Sequence, residues 1–301
     1  MLKKIEKWLG WNPLDLLAAR WKKENKKKIL LIWNRGLGDI PLWIYGLVAQ
    51  IRDVFGEAQI TALTREDLKE GFLLLENIEV IADHTMKRGE SFDFSHIKSN
   101  YDVVIEKIEP KLWLKWQIGK VIPKLKWNHL TCDLTRFNFP KNKLNIGIHL
   151  SSETEQFYNY SKNWGDENFC KLIDSIKNKY DVSFVLFGLE KKKPIENCID
   201  LRGNTTLFEI ISIVKNELDI MIAPDSGILN IIYYLDEQFD LDMISLWGNP
   251  RVGLLKQNVS SPNKLLRHFA LIGKNRNIAN IKVENVASYI DYILGEKGDY
   301  K

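Results

Sequence analysis

Only three cysteines, Cys132, Cys170 and Cys198, occur in 301 residues, and none stands at the short paired spacing of a zinc site or a disulfide framework. A reducing cytoplasm fits such a chain best. No run approaches the roughly 18 uninterrupted apolar residues of a membrane-spanning helix, and no apolar segment with a small-residue cleavage site follows the N-terminal lysines. Neither a spanning helix nor a secretory signal is expected. Glycine is scarce where a dinucleotide site needs it: Asn34-Arg35-Gly36-Leu37-Gly38-Asp39 lacks the third glycine of that fingerprint, so a dehydrogenase is a poor reading. There is no internal repeat, and no low-complexity segment beyond a lysine run near the N-terminus.

Apolar residues, by contrast, make up 45% of the chain, enough for one large or two ordinary cores. The net charge of +4 is unevenly spread: residues 1 to 28 hold nine Lys/Arg against three Asp/Glu, so the remaining 273 residues carry a small negative balance. This argues against a body built to track nucleic acid and for a local anionic contact at the N-terminus. Leu2, Ile5, Trp8 and Leu9 share one helical face, and Asn12-Pro13 opens a second helix with Leu14, Leu17, Ala18 and Trp21 on one side. Such a cationic pair, residues 1–27, can lie on an anionic membrane surface or pack its apolar stripe on the body.

Lys28 to Trp33 is a continuous apolar run, as expected of a central parallel strand buried on both faces. After the Arg35–Asp39 turn, a helix is expected with Ile40, Ile44, Leu47, Val48, Ile51, Val54 and Phe55 inward and Pro41 in its first turn. Asp39 is either that helix's cap or a carboxylate held at a strand end for chemistry. Further strands are expected at Gln59–Leu63, Glu79–Ala82 and Tyr101–Ile108, with a helix at Glu66–Leu75 and a surface helix within Lys111–Lys126. Pro140-Lys141-Asn142-Lys143 reads as a linker. Beyond it the pattern restarts with strands at Leu144–Leu150, Val182–Phe187, Leu218–Ala223 and Met243–Trp247. Helices are expected at Asp166–Lys177, at Thr206–Lys215 with Thr206 and Glu209 as a capping box, after Gly227, and at Val283–Leu294. Alternating β and α with short links predicts parallel sheets with right-handed crossovers. The expectation is two Rossmann-like domains, 28–140 and 141–301, facing a cleft, with the last helix able to pack back on the first.

The chain turns on the stretch from Leu218 to Trp247. Its apolar strand stops at Pro224-Asp225-Ser226-Gly227 and gives way to Ile228, Leu229, Ile231, Ile232 and Leu235 at helical spacing. A helix start offers free backbone N–H groups to a phosphate, and ligands of open α/β sheets sit beyond the strands' carboxyl ends. A capped turn explains the same residues, since Asp and Ser are ordinary N-caps.

Taken in order, Arg35-Gly36-Leu37-Gly38-Asp39, Ser161-Lys162-Asn163-Trp164, Leu201-Arg202-Gly203-Asn204-Thr205-Thr206-Leu207, Pro224-Asp225-Ser226-Gly227 and Trp247-Gly248-Asn249-Pro250 resemble the ADP-heptose:lipopolysaccharide heptosyltransferases, glycosyltransferase family 9. The resemblance spans about residues 28 to 295. It implies the glycosyltransferase B architecture, with acceptor bound mainly by the N-terminal domain and nucleotide sugar by the C-terminal one. It also implies transfer with inversion at the anomeric carbon, no required metal or cofactor, and ADP-heptose as donor.

By resemblance, Asp39 matches the general base, Lys162 the lysine near the donor diphosphate, and Ser151 and Ser152 a hydroxyl pair. Glu190 matches an acid near the donor ribose or sugar, Thr205 a nucleotide-side contact, and Asp225, Ser226 and Gly227 the donor turn, with Asn230 also among the donor-binding positions. Arg35, Gly36 and Gly38 form the loop around Asp39. A lipopolysaccharide-type, lipid-linked acceptor is implied, at the inner face of the cytoplasmic membrane; the alternative is a non-catalytic sugar-nucleotide-binding member of the family. The sequence departs from the family at Asn230, where a histidine is usual, in Val103-Val104-Ile105-Glu106-Lys107, in a long segment from Glu153 to Ser161, and in an acidic insertion, Asp236 to Asp242.

Overall fold

The structure, a computed structural model, describes residues 13–106, 108, 121–127, 132, 134–141, 143–150, 152, 162–191 and 193–296. The first amphipathic helix of the N-terminal extension, Ser151 and the segment from Glu153 to Ser161 lie outside them. The chain divides into two compact units after Trp127, with Gln257–Ser260 joining the first. This division precedes the expected linker at Pro140, for a local reason. The Arg136 guanidinium already binds the Glu209 carboxylate at 2.7 Å and the Asn204 carbonyl at 2.9 Å, both inside the second unit.

In the first unit α1 (Pro13–Lys23) precedes β1 (Lys28–Trp33), α2 (Tyr45–Val54), β2 (Gln59–Arg65), α3 (Lys69–Leu73), β3 (Glu79–Asp83), α4 (Ser95–Lys98) and β4 (Val103–Ile105). The sheet is parallel throughout, in the order β3-β2-β1-β4, so the apolar run at β1 is central as its composition requires. Leu30 and Ile32 pack on one face with Leu63, Met86, Phe92 and Phe94.

The second unit holds β5 (Leu144–His149), α5 (Asp166–Lys177), β6 (Val182–Phe187), β7 (Ile199–Asp200), α6 (Leu207–Glu217), β8 (Ile220–Pro224), α7 (Gly227–Tyr233), β9 (Leu241–Trp247), all but the last residue of α8 (Gly253–Gln257), β10 (Leu266–Ile272) and α9 (Val283–Glu296). Its six strands, again parallel, run β10-β9-β8-β5-β6-β7. Ile146, Ile148, Phe184, Leu186, Ile222 and Leu246 share one core with α5 and α9. The order reverses at β5, so right-handed crossovers put α6 and α7 on the opposite face from α5. Gly147 belongs to that opposite face: a Cβ there would collide with Leu218, the residue that ends α6.

The apolar stripe of α1, including Leu14, Ala18 and Trp21, is buried and packs on α2, with Gln50 Nε2 donating to Asp15 at 2.6 Å. Of the two roles left open for that helix, packing on the body is the one observed, because a completed core offers the stripe more burial than solvent does. Of the surface helix expected within Lys111–Lys126, residues 111–120 lie outside the described residues; in 121–127 Pro123, Leu125 and Trp127 are buried while Ile122 and Lys124 are exposed, an alternation of period two that suits extended chain. Asp242, the last residue of the expected acidic insertion, lies in β9, buried, and binds Arg267 of β10 through Nε at 2.5 Å and Nη2 at 2.9 Å. The strand expected at Tyr101–Ile108 shortens to Val103–Ile105. Among the described residues no helix is long and apolar enough to cross a membrane.

Candidate functional site

Each unit carries its candidate residues at the carboxyl ends of its strands. In the first, β1 ends at Trp33 and the chain turns through Asn34 to Asp39. Trp33 Nε1 donates to the Gly36 carbonyl at 3.2 Å, and the Asn34 amide donates to the carbonyls of Lys87 at 3.0 Å and Glu90 at 2.7 Å. The turn is thus fixed to the loop that follows β3. Asp39 precedes a single π-turn, Ile40–Ile44, that runs into α2; its side chain does not cap that helix. Its Oδ2 accepts instead from the backbone N–H of Gly36 at 3.2 Å. Gly36 is required here by close approach, since a Cβ would fall 2.7 Å from that oxygen, with Nη2 of Arg88 3.8 Å away. Single π-turns are frequent at functional positions. Arg35 is exposed and Gly38 half-buried.

In the second unit Lys162 and Asp225 come together. The ammonium lies 2.7 Å from Oδ2 of Asp225, and both side chains are almost wholly buried. Trp164 sets the position of Lys162: its ring stands edge-on to Phe169 at 4.8 Å, and its Nε1 donates to the Ile281 carbonyl at 2.8 Å. Gly165, at φ +95°, then lets the chain turn into α5. Ser226 does cap, accepting from the N–H of Leu229 at 3.2 Å, so for this residue the structural reading of the turn holds. Asn230 donates its amide to the Ser226 carbonyl at 2.7 Å, bracing the start of α7, which Gly227 opens.

Ser152 is half-buried just beyond β5, Thr205 lies immediately before the Thr206 cap of α6, and Glu190 is exposed in the loop after β6. That loop rests on Gly203, whose φ of +66° strains any side chain and where a Cβ would fall 3.1 Å from the Lys191 nitrogen. Arg202 beneath it is buried and forms a two-pronged pair with Asp200, at 2.8 and 2.7 Å.

Three functional candidates escaped the sequence reading. Gly253, at φ +53°, lies against the Trp247 ring and Asp225: a Cβ would fall 2.8 Å from the ring and 3.0 Å from Oδ1 of Asp225. His268 on β10 accepts from Ser245, which takes a bond from Trp247 Nε1; both contacts are 2.6 Å, and since indole nitrogen only donates, the hydroxyl proton is left to point at the imidazole. Burial pushes His268 down to about 4. Burial does the same to His149, the last residue of β5. A positive φ at Gly253 and the burial of two lone histidines have no signature in neighbouring residues.

Among the described residues no group of three or more His, Cys, Asp and Glu is placed to hold a metal ion.

Two parallel α/β units whose candidate side chains stand at strand carboxyl ends define a Rossmann-like pair, the α/β glycosyltransferase fold that the resemblance implied. Known structures place it more narrowly. The chain is similar to the ADP-heptose lipopolysaccharide heptosyltransferase II of E. coli, with TM-score 0.60 and 15% identity over 90% of this chain and 100% of that one. It is also similar to a glycosyltransferase family 9 protein of Veillonella parvula, with TM-score 0.58 and 15% identity over 90% and 97% of the two chains. A third likeness is to the E. coli heptosyltransferase WaaC, solved with ADP, with TM-score 0.51 and 11% identity over 88% and 99%. No family model matches the sequence, and no curated protein matches it. The fold therefore agrees with the motif resemblance at an identity far too low for either search by sequence.

Proposed function

We propose that the chain is an inverting glycosyltransferase that moves a heptose-like sugar from an ADP-sugar onto a lipid-linked, lipopolysaccharide-type acceptor. The observation that carries this is Asp39, a carboxylate at the end of a central strand that accepts from the Gly36 loop and leaves the adjoining helix uncapped. The fold shared with an ADP-heptose heptosyltransferase supports the same reading.

In this mechanism the first unit binds the acceptor, and Asp39 takes the proton from its hydroxyl as the oxygen attacks the anomeric carbon. The second unit holds the donor. The bond from anomeric carbon to diphosphate oxygen breaks, and the leaving diphosphate gathers charge that the Lys162 ammonium stabilises, with Asp225 holding that ammonium in place. A lysine in this role makes a metal ion unnecessary. Ser151, Ser152, Thr205, Glu190 and the turn Ser226-Gly227 complete the donor contacts that the resemblance assigns.

The acceptor's lipid places the enzyme at the cytoplasmic face of a membrane. With the stripe of α1 buried, attraction there would rest on the exposed Arg20, Lys22 and Lys23 and the basic residues that precede them.

Calorimetric titration with ADP-, GDP-, UDP- and CMP-sugars tests the donor half of the proposal. ADP-sugar binding with transfer to a lipopolysaccharide-core acceptor is the expected result; no binding to any nucleotide sugar defeats it.

A further inference from the structure

Trp247, the last residue of β9, has both ends of its indole engaged. The nitrogen end is fixed within the sheet. Nε1 donates to the Ser245 hydroxyl at 2.6 Å, and that hydroxyl lies 2.6 Å from Nε2 of His268 on the neighbouring β10. Burial keeps His268 neutral, so Nε2 has a lone pair to receive the hydroxyl proton. The imidazole is held in turn by Tyr233 of α7, whose ring meets it edge-on with centroids 5.2 Å apart.

The far edge of the same indole reaches Asp225. Cζ3 and Cη2 of Trp247 and Oδ1 of Asp225 lie 2.8, 2.9 and 3.0 Å from the point where a Cβ on Gly253 would stand. Ring edge and carboxylate are therefore neighbours around a space that only a glycine leaves open. The other oxygen of that carboxylate, Oδ2, holds the Lys162 ammonium at 2.7 Å. An aromatic edge carries partial positive charge and so suits the anion beside it.

Ser245, Trp247 and Asp225 are all buried, which keeps bulk water out of these contacts. Burial alone calls only for a large apolar side chain. What an indole adds is a donor at one end and a long, weakly positive edge at the other, and both are used here.

We propose that Trp247 is a positioning residue, a strut pinned at its nitrogen by Ser245 and His268, whose far edge holds the Asp225 carboxylate where it presents the Lys162 ammonium to the diphosphate of the donor. The inference rests on the donor reading above, in which none of Trp247, Ser245 and His268 touches the ligand. Its consequence is selective: loosening the strut displaces the charge on Lys162 and leaves the contacts to the nucleoside as they were.

Calorimetric titration of the full chain with ADP and with adenosine, beside thermal melting, tests this in Trp247→Phe, Ser245→Ala and Ser245→Thr. Trp247→Phe removes the N–H and shortens the ring; it is expected to weaken ADP about tenfold or more while adenosine changes by less than about twofold. Ser245→Ala leaves the indole N–H without its acceptor and is expected to act in the same direction, and Ser245→Thr, which restores a hydroxyl, to bring ADP affinity back. A structural role alone lowers the melting temperature without moving the ratio of the two affinities. Folded variants whose affinities for ADP and adenosine are unchanged, or fall by one common factor, overturn the strut while the donor reading stands, and so does a Ser245→Thr no better than Ser245→Ala. If Trp247→Phe does not fold, the two Ser245 variants decide the matter by the same ratio. A parent with no preference for ADP over adenosine overturns the donor reading and this inference with it.

Discussion

The ammonium of Lys162 lies 2.7 Å from a carboxylate oxygen of Asp225, and the two side chains are 7% and 6% exposed. A charge pair so deeply placed is held by its geometry, and removing one member strands the other in a medium that solvates it poorly. Lys162→Met is expected to destabilise the protein by about 3 to 5 kcal/mol in urea unfolding, and Lys162→Met with Asp225→Leu by much less. A double variant no more stable than the single one would mean that the pair is not the source of the loss.

The same lysine separates ligands. Lys162→Ala is expected to weaken ADP more than adenosine in calorimetry, because only the diphosphate presents the charge that the ammonium meets. Matching losses for both would remove Lys162 from the diphosphate.

Asp39→Asn keeps size and hydrogen bonding but cannot take a proton. Turnover with the acceptor is expected to drop by about a hundredfold or more while the protein stays folded and binds donor normally. Gly36→Ala should lower turnover as well, since its methyl group would displace the Asp39 carboxylate oxygen, 2.7 Å from a Cβ at that position. Parent-like rates in Asp39→Asn would place the base elsewhere.

His149 and His268 are both depressed from 6.5 to about 4 by burial. Between those values the unfolded chain binds protons that the folded one refuses, so stability is full above about pH 6.5 and falls as pH drops toward 4. Each histidine accounts for up to about 3 kcal/mol of that fall. His149→Leu with His268→Gln should flatten the stability profile across this window, measured by denaturant unfolding at half-unit steps; an unchanged slope would mean that other groups set it.

Trp21 and the basic face of α1 are expected to do different things. Trp21→Ala should cost about 3 to 5 kcal/mol of stability, as for a large buried ring. Changing Arg20, Lys22 and Lys23 to Glu should leave stability nearly intact and reduce sedimentation with anionic vesicles. Vesicle binding that survives this charge reversal would argue against an electrostatic contact through α1.

Much of this protein was legible without coordinates. The apolar run at Lys28–Trp33, the Thr206–Glu209 capping box and the strand-turn-helix at Pro224 to Gly227 all occur where the residues indicated. Each depends on neighbours within a few positions: side-chain period, backbone preference and caps are local quantities. The pairing of two α/β units follows from the repeated alternation of such segments.

Other features were decided only by tertiary structure. Edge strand β10 is half-exposed and mixed in composition, so it is a strand because β9 offers it hydrogen bonds. The stripe of α1 suited a membrane as well as a core, and the apolar face of α2 settled the choice. Motif order suggested roles for Asp39, Lys162 and Asp225. That Asp39 turns from its helix to Gly36, that Lys162 is bound to Asp225, and that His149 is buried at the end of β5 were decided by the fold. A carboxylate's partner and an imidazole's desolvation depend on groups that the fold brings from distant parts of the chain, and no local pattern of residues encodes them.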